Sequence, residues 1–246
     1  MNNFYEKNNQ VVLRGICQGS PKYSHSVMGE GFYEFTLAVA RLSAEVDYLP
    51  VTISERLLPE IKDISKEIGI IGQLRSYNKL EGEKSRLILT IFVREIVPAE
   101  ELNLSNQISI TGYVCKEPIY RTTPFGREIT DILIAVNRAY NKSDYLPCIA
   151  WGRNARFAGD LEVGEKVELT GRIQSRAYTK KIDENTSVNK TAYEVSVASI
   201  MTVIDEKDFD KEEKEMDDNE KMAPEKTVTD YEDEYFSEED AHVSTR

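Results

Sequence analysis

Aromatic and basic side chains alternate along the second half of the chain in a way that suits one kind of chemistry. A ring face can stack on another flat ring, and a guanidinium can pair with a phosphate. The aromatic residues with cations close by in sequence are Tyr140, Tyr145, Trp151 and Tyr178. The cations interleaved with them are Arg121, Arg127, Arg138, Arg153, Arg172 and Arg176. Such interleaving is typical of surfaces that hold a nucleic-acid strand without reading its sequence.

Each of these side chains also has an ordinary structural explanation. Tyrosine is a good strand former, tryptophan is usually largely buried, and scattered arginines usually line a solvated surface. The case for binding therefore rests on the whole set and its spacing.

Other kinds of chemistry have little support in the sequence. The three cysteines, Cys17, Cys115 and Cys148, form no CxxC pair, and the two histidines stand far apart, so we expect no metal site and no cofactor. Phosphate loops and nucleophile–base arrangements are also missing, which argues against an enzyme. No apolar run approaches the roughly 20 residues of a membrane span. We expect a soluble cytoplasmic protein with reduced thiols.

The elements that position these residues occur twice along the chain. With a shift of 97 positions, Asn9-Gln10 recurs as Asn106-Gln107, Gly15 as Gly112, Arg41 as Arg138, and Asp47-Tyr48-Leu49-Pro50 as Asp144-Tyr145-Leu146-Pro147. With a shift of 99, Gly72 recurs as Gly171 and Ser76 as Ser175. Identities in one order over this length indicate a duplicated domain rather than a short solenoid repeat.

Each copy shows the period-two alternation of β-strands, as in Ile132, Ile134 and Val136. The second copy predicts strands near 107–115, 129–138, 145–151, 166–176 and 192–204, with a helix near 153–160. The first predicts strands near 10–17, 32–41, 47–54, 69–77 and 86–97, with a helix near 56–67. Five strands with a helix after the third favour an OB-fold barrel over an SH3-like one. We therefore predict an all-β chain of two tandem five-stranded OB-fold barrels.

Four ordered motifs of the second copy resemble the bacterial single-stranded-DNA-binding protein family. They are residues 118–126 (PIYRTTPFG), 133–138 (LIAVNR), 144–153 (DYLPCIAWGR) and 168–176 (ELTGRIQSR). The resemblance implies OB-folds that stack bases on aromatics, assemblies that present four barrels, and an acidic tail whose tip recruits replication and repair proteins. For a chain with two barrels, four barrels imply a homodimer. The implied role is sequence-nonspecific binding and protection of single-stranded DNA in replication, recombination and repair, close to the nucleoid.

The first copy departs from this pattern. Tyr140 and Trp151 correspond to serines at 43 and 54, and Tyr178 corresponds to Lys79. The residues retained there as candidate contacts are Tyr48, Arg41 and Tyr77. We therefore predict that the second barrel binds DNA more strongly.

The acidity of the chain lies entirely at its C-terminal end. The formal net charge is −12, and residues 205–246 hold 18 acidic and 6 basic side chains, so the preceding residues are neutral. Such a composition is typical of a disordered tail. Its end lacks the family's apolar tip, and the nearest substitute for docking partners is the cluster with Tyr231, Tyr235 and Phe236.

The predicted division is 1–98 for the first barrel, 99–105 for a linker, 106–204 for the second barrel and 205–246 for the tail. Two alternatives stay open. One is a primosome-like or recombination accessory module in which DNA binding is secondary. The other is RNA as the ligand, because a stacking surface does not by itself reject the 2′-hydroxyl.

Overall fold

Two closed barrels follow each other in the computed structural model, which describes residues 8–61, 63–82, 84–181 and 187–203. The strands of the first barrel are β1 (Asn9–Val27), β2 (Glu30–Ala40), β3 (Val46–Ser54), β4 (Glu67–Glu81) and β5 (Lys84–Pro98). The elements of the second are β6 (Asn106–Val114), β7 (Ile119–Thr122), β8 (Glu128–Arg138), β9 (Lys142–Trp151), α1 (Arg153–Gly159), β10 (Lys166–Lys181) and β11 (Ser187–Thr202). Short 3-10 turns lie at Leu58–Glu60, Ala99–Glu101 and Ala139–Asn141.

One continuous sheet forms both barrels, in the order β2-β3-β5-β4-β1-β6-β10-β11-β9-β8-β7. The first barrel closes where β1 pairs with β2, and the second closes where β6 pairs with β8. Closure removes most of the open edges that a small sheet would otherwise expose. The predicted fold class, two tandem five-stranded OB-fold barrels, is confirmed.

Alternation along each strand separates core from surface. On β8, Ile132, Ile134 and Val136 point into the barrel and are almost fully buried, so the residues between them face outward. The same period governs β9, where Leu146 and Cys148 join the core. Binding residues are therefore to be sought at the alternate positions.

The repeated glycines Gly15 and Gly112 allow each barrel to close. A Cβ at Gly112 would lie 2.6 Å from the carbonyl oxygen of Ala135, and a Cβ at Gly15 would collide with the carbonyl oxygen of Ala38. These two carbonyls belong to β8 and β2, the strands that complete the barrels. Only a residue without a side chain lets the closing strands approach so closely.

The two copies differ in detail from the predicted strands. In the first barrel β1 runs unbroken to Val27 and pairs with β2 through two bulges, whereas the second barrel interrupts the same course at Pro118 and resumes as β7. The predicted helix near 56–67 is shorter than expected, a 3-10 turn at Leu58–Glu60, while the helix predicted near 153–160 forms as α1.

The barrels are joined by antiparallel pairing of β1 with β6. Asn9 lies opposite Ile110, Leu13 opposite Asn106, and Val11 opposite Ile108. Since Val11 and Ile108 are equivalent residues of the two copies, a pseudo-two-fold axis passes through this pair. The axis creates two further contacts between barrels, one where β4 meets β9 and one where β3 meets β10.

Candidate nucleic-acid interface

The predicted stacking residue Trp151 lies on the outer face of the second barrel. It is opposite Ile129 on β8, and Ile129 is opposite Arg121 on β7, so the three side chains stand in one row. Residues directly opposite on neighbouring strands project from the same side of the sheet. Ile129 is buried, while Trp151 is 39% exposed. The row thus sets an accessible ring and a guanidinium on either side of an apolar residue.

A chain of charges continues from Arg121. Its Nε and Nη2 lie 2.9 and 2.7 Å from Asp131 Oδ2. Burial raises the pKa of Asp131, although Arg121 and Arg176 oppose that shift. Arg176 Nε lies 3.6 Å from Glu194 Oε1, and its guanidinium lies 5.9 Å from the ring centre of Tyr178. These contacts hold two predicted cations on the second barrel with Tyr178 beside one of them.

Two loops of the second barrel expose aromatic rings. Tyr140, between β8 and β9, is 93% exposed, and both it and Asn141 have positive φ values, 63° and 54°. The left-handed region costs free energy for residues other than glycine and is found often at functional loops. Phe125 is 71% exposed in a turn where the Gly126 N–H donates to the Thr123 carbonyl at 2.8 Å. Phe125 was not among the predicted site residues, although its position in a Pro-Phe-Gly turn could have indicated it.

Two further predicted cations lie at the edges of these elements. Arg127 follows the Phe125 turn, and Arg153 begins α1 two residues after Trp151. Both side chains are exposed. They can therefore reach a polyanion without first breaking a buried contact.

Three predicted binding residues lie instead at the β3/β10 junction, the contact between β3 of the first barrel and β10 of the second. The buried carboxylate of Asp47 accepts hydrogen bonds from Arg41 Nε and Nη2 at 2.7 and 2.6 Å and from the Ser175 N–H at 2.7 Å. Arg172 Nη1 lies 3.5 Å from the same carboxylate, and the Tyr48 N–H donates to Ser175 Oγ at 3.2 Å. Burial alone would raise the pKa of Asp47, but the hydrogen bonds from Arg41 and Ser175 lower it overall.

Arg138 and Tyr145 occupy the equivalent β4/β9 junction. Asp144 Oδ1 accepts from the Ser76 N–H at 2.8 Å, and the Tyr145 N–H donates to Ser76 Oγ at 2.7 Å. Arg138 Nε lies 3.3 Å from Asp144 Oδ2, an ion pair without hydrogen-bond geometry. Burial raises the pKa of Asp144 despite these contacts. The Asp-Tyr-Leu-Pro repeat and the paired serines are thus joints between the barrels.

The outer face of the first barrel carries aromatic residues that the sequence comparison missed. Phe32 and Phe92 have ring centres 5.8 Å apart, and His25 stacks on Phe32 at 5.3 Å. The guanidinium of Arg75 lies 3.6 Å above the Phe92 ring. Tyr77, the predicted residue of this barrel, is 47% exposed on the same strand as Arg75.

The alternation of core and surface residues along β5 could have identified Phe92 as an outward-facing ring. Phe92 stands between the core residues Ile91 and Val93, so its ring must point outward. Matching of the two copies overlooked Phe92 because its equivalent in the second barrel is a serine, Ser196. The two residues are equivalent because Phe92 lies opposite Gln73 and Ser196 lies opposite Arg172, the residue that matches Gln73.

Within the described residues, no group of three or more histidine, cysteine, aspartate or glutamate side chains could hold a metal ion. Cys17 and Cys148 are buried in the barrel cores, and burial raises the pKa of Cys17 to about 11. None of the helices in the same residues is long and apolar enough to cross a membrane. Tyr231, Tyr235 and Phe236, predicted to dock partners, lie outside the described part of the chain.

The fold and this surface define a class, a tandem OB-fold protein whose outer strands carry rings and cations. Comparison with solved structures agrees: the wild-type single-stranded DNA binding protein from Thermus aquaticus superposes with a TM-score of 0.63 at 19% identity, over 80% of this chain and 93% of that one. This likeness concerns the fold.

The sequence profile of the Single-strand binding protein family matches residues 105–203. Single-stranded DNA-binding protein B of Bacillus subtilis is 30% identical over 92 residues, which cover 35% of this chain and 81% of that protein. Single-stranded DNA-binding protein 2 of Listeria innocua is 30% identical over 82 residues, 30% of this chain and 52% of its own length. The chain thus spans about half the length of the Listeria relative.

The chain belongs to the single-strand binding protein family. Proteins of this family are not enzymes, so the prediction of a protein without catalytic activity is confirmed by the family.

Proposed function

We propose that the chain binds single-stranded DNA without sequence preference, chiefly on the second barrel. The observation that carries the proposal is the row of Arg121, Ile129 and Trp151, continued by Arg176 and Tyr178, within the residues that match the family profile. An unpaired strand exposes the base faces that such rings can stack on, whereas a duplex hides them.

Two terms of different kinds contribute to the binding free energy. Each base stacked on a ring contributes about 1–3 kcal/mol, largely independent of which base it is. Each phosphate paired with a cation releases counterions, so that part weakens as salt rises, with a slope of about −0.7 per contact for single strands. Binding through both terms is tolerant of sequence and sensitive to salt.

Trp151 is the single tryptophan of the chain and therefore reports on its own site. Oligo-dT should quench its fluorescence saturably, and Tyr178→Ala should weaken binding on the order of ten-fold through loss of one stack. Tyr113→Ala, on β6 away from the Trp151 row, removes a comparably exposed ring and is the matched control. Absent quenching at low salt would overturn the proposal and favour the accessory-module alternative.

The predicted DNA-binding residues fall into three groups in this proposal. Those on the second barrel's face and loops contact the strand directly: Tyr140, Trp151, Tyr178, Arg121, Arg127, Arg153 and Arg176. Those at the junctions hold the barrels and contribute at their exposed edges: Arg41, Tyr48, Arg138, Tyr145 and Arg172. Tyr77 belongs to the first barrel's face. The second barrel is the stronger binder because it alone has the tryptophan.

We further propose that two chains form a homodimer and act on DNA in replication, recombination and repair, in the cytoplasm at the nucleoid. Family membership supports these roles, and four barrels per dimer match what the resemblance implies. Light scattering tests the assembly, where a mass of one chain would contradict it. Deleting residues 229–246 tests docking of replication or repair proteins through Tyr231, Tyr235 and Phe236, where unchanged partner affinity would contradict it.

A further inference from the structure

The two junctions between the barrels are related by the pseudo-two-fold axis but differ in charge. At the β3/β10 junction cations and carboxylates balance. Arg41 pairs with Glu45 as well as Asp47, with Nη1 2.7 Å from Glu45 Oε2, and Arg172 also faces Asp47. Arg176 lies 3.6 Å from Glu194, and the Arg121–Asp131 pair adjoins Arg176. Four cations therefore meet four carboxylates in this connected set of described residues.

The β4/β9 junction has other residues at the positions that match Glu45 and Glu194. Glu45 corresponds to Lys142, which lies opposite Arg138 on the neighbouring strand. Glu194 corresponds to Thr90. Thr90 lies opposite Arg75, and Glu194 lies opposite Gln174, which is the equivalent of Arg75 in the second barrel. Relative to the β3/β10 junction, each difference removes a negative charge, and the first also adds a positive one.

Additional arginines gather at the same junction. Arg75 and Arg94 both donate to Gln73 Oε1 at 3.2 Å, and both lie over the ring of Phe92, at 3.6 and 5.3 Å. The pKa of Arg75 is lowered to about 10, mainly by burial and to a smaller extent by repulsion from Arg94 and Arg138. Arg75 therefore stays charged at neutral pH. Among the described residues connected by these contacts, Asp144 is the one carboxylate against Arg75, Arg94, Arg138 and Lys142.

Such an excess of positive charge around the largely buried Arg75 favours the binding of an anion. The cluster lies between the second barrel and the Phe92–Phe32 face of the first. A nucleic-acid strand presents both phosphates for the arginines and bases for the rings.

Resting on the proposed function, we infer that a bound single strand passes from the second barrel to the first across the β4/β9 junction. Its phosphates pair with Arg75, Arg94 and Arg138, and its bases then stack on Phe92 and Phe32 in place of Arg75 and His25, which cover those rings in the unbound chain. The strand does not cross between the barrels at the charge-balanced β3/β10 junction, whose residues contribute only at its exposed edge.

Arg94 is the residue to change, because it is exposed and sits at the β5 bulge where the second barrel has Ala198. Affinity of the full chain is measured for two oligo-dT probes, one of about 8 nucleotides that fits one barrel and one of about 30 that spans both. Arg94→Gln should weaken binding of the long probe about five-fold, as for loss of a surface ion pair, and leave the short probe unchanged. The salt slope of the long probe should become shallower by about 0.7.

Arg14→Gln is the matched control. Arg14 lies opposite Gly69 on β4, six residues and about 20 Å along that strand from the junction residue Arg75. The Arg14→Gln variant therefore removes the same charge at a place away from the junction. Phe92→Ser introduces the residue that the second barrel has at the equivalent position. It should weaken binding of the long probe on the order of ten-fold. Its short-probe affinity and its melting temperature report whether the variant is folded.

Equal effects of Arg94→Gln and Arg14→Gln on the long probe would overturn the inference, and so would equal losses on both probes. In either case binding of the short probe by the unaltered chain would leave the proposed function standing. If the unaltered chain bound neither probe, the proposed function itself would fail.

Discussion

Equivalent aspartates of the two copies meet opposite electrostatic surroundings. Asp47 is fully buried but bonded by Arg41 and Ser175, and its pKa is lowered overall. Asp144 is nearly as buried and accepts a hydrogen bond from the Ser76 N–H, but Arg138 is only loosely placed and burial raises the pKa of Asp144 overall. A carboxylate with a lowered pKa stabilises the fold when ionised, whereas one with a raised pKa costs free energy when ionised.

We expect Asp47→Asn to lower the free energy of unfolding at pH 7 on the order of 3 kcal/mol, because Arg41 and Arg172 lose their buried partner. The contribution of Asp47 is fully present above the unfolded pKa of about 3.9 and is lost as the pH falls through its lower folded pKa. Urea unfolding of both proteins from pH 7 to pH 3 measures this. A difference that did not shrink at acid pH would contradict the electrostatic cause.

Asp144→Asn is the matched comparison at the other junction. The amide oxygen can still accept from the Ser76 N–H, and the charge that burial disfavours is gone. Arg75 and Arg138 lose their one carboxylate in exchange, so we expect the unfolding free energy at pH 7 to fall by less than it does for Asp47→Asn. The same urea series decides between this outcome and a loss as large as that of Asp47→Asn, which would show that the two ion pairs are equivalent.

Tyr140 combines an exposed ring with a backbone conformation that tyrosine disfavours. Tyr140→Gly should raise the free energy of unfolding by up to about 1 kcal/mol, since glycine adopts a φ of 63° without strain. It should also weaken oligo-dT binding by about 1–3 kcal/mol through loss of a stack. Ala44→Gly, in the equivalent loop at a φ of 66°, should give the stability gain alone. Thermal melting and fluorescence titration together separate the two effects.

At the scale of the elements, each barrel depends on how closely its first strand approaches its second. Gly15 and Gly112 provide that approach because a Cβ there would meet backbone rather than a movable side chain. The β1–β6 pairing then makes each barrel cover the strand edge of the other. Either half produced alone would expose that edge, so binding is best compared by point substitutions in the whole chain.

Gly112→Ala should destabilise the chain by about 1–3 kcal/mol, because a methyl group is forced against the Ala135 carbonyl. Gly31→Ala should have little effect, since its methyl would meet the flexible end of Glu55. Urea midpoints of the two variants provide the comparison. Similar midpoints would mean that β6 and β8 can separate without loss.

The strands and their order along the chain were predictable from the sequence because period-two alternation and local turns determine them, whereas the closing role of Gly15 and Gly112 depends on pairing between distant strands. Trp151 was predicted as a binding residue, but its row with Ile129 and Arg121 depends on the register between strands and needed the structure. The purpose of the Asp-Tyr-Leu-Pro repeat was not predictable, since nothing local distinguishes a tyrosine on a free face from one beside another barrel. Phe92 was missed for a related reason: its neighbours across the sheet are far away in sequence.

The molecule as a whole has its net charge concentrated outside its barrels. Residues 205–246 carry the full −12, and a strand of DNA carries the same sign. Repulsion between them acts over a distance of about 10 Å at 0.1 M salt and shortens as salt rises.

Removing residues 205–246 should therefore speed association with oligo-dT and tighten binding at low salt, by ten-fold or so in rate. The difference should vanish near 1 M salt, where screening acts within about 3 Å. Stopped-flow measurement across a salt series tests this. A gain that persisted undiminished at high salt would contradict an electrostatic cause.

The pairing of Val11 with Ile108 places a symmetry axis inside a single polypeptide. Two separate identical subunits around such an axis must repeat every mutation on both sides. Here each junction is encoded by different codons, so one can carry additional arginines while the other carries glutamates. The duplicated gene thereby gained a freedom that a symmetric pair lacks: the particle has a front and a back, and a strand laid across it can have a preferred 5′-to-3′ direction.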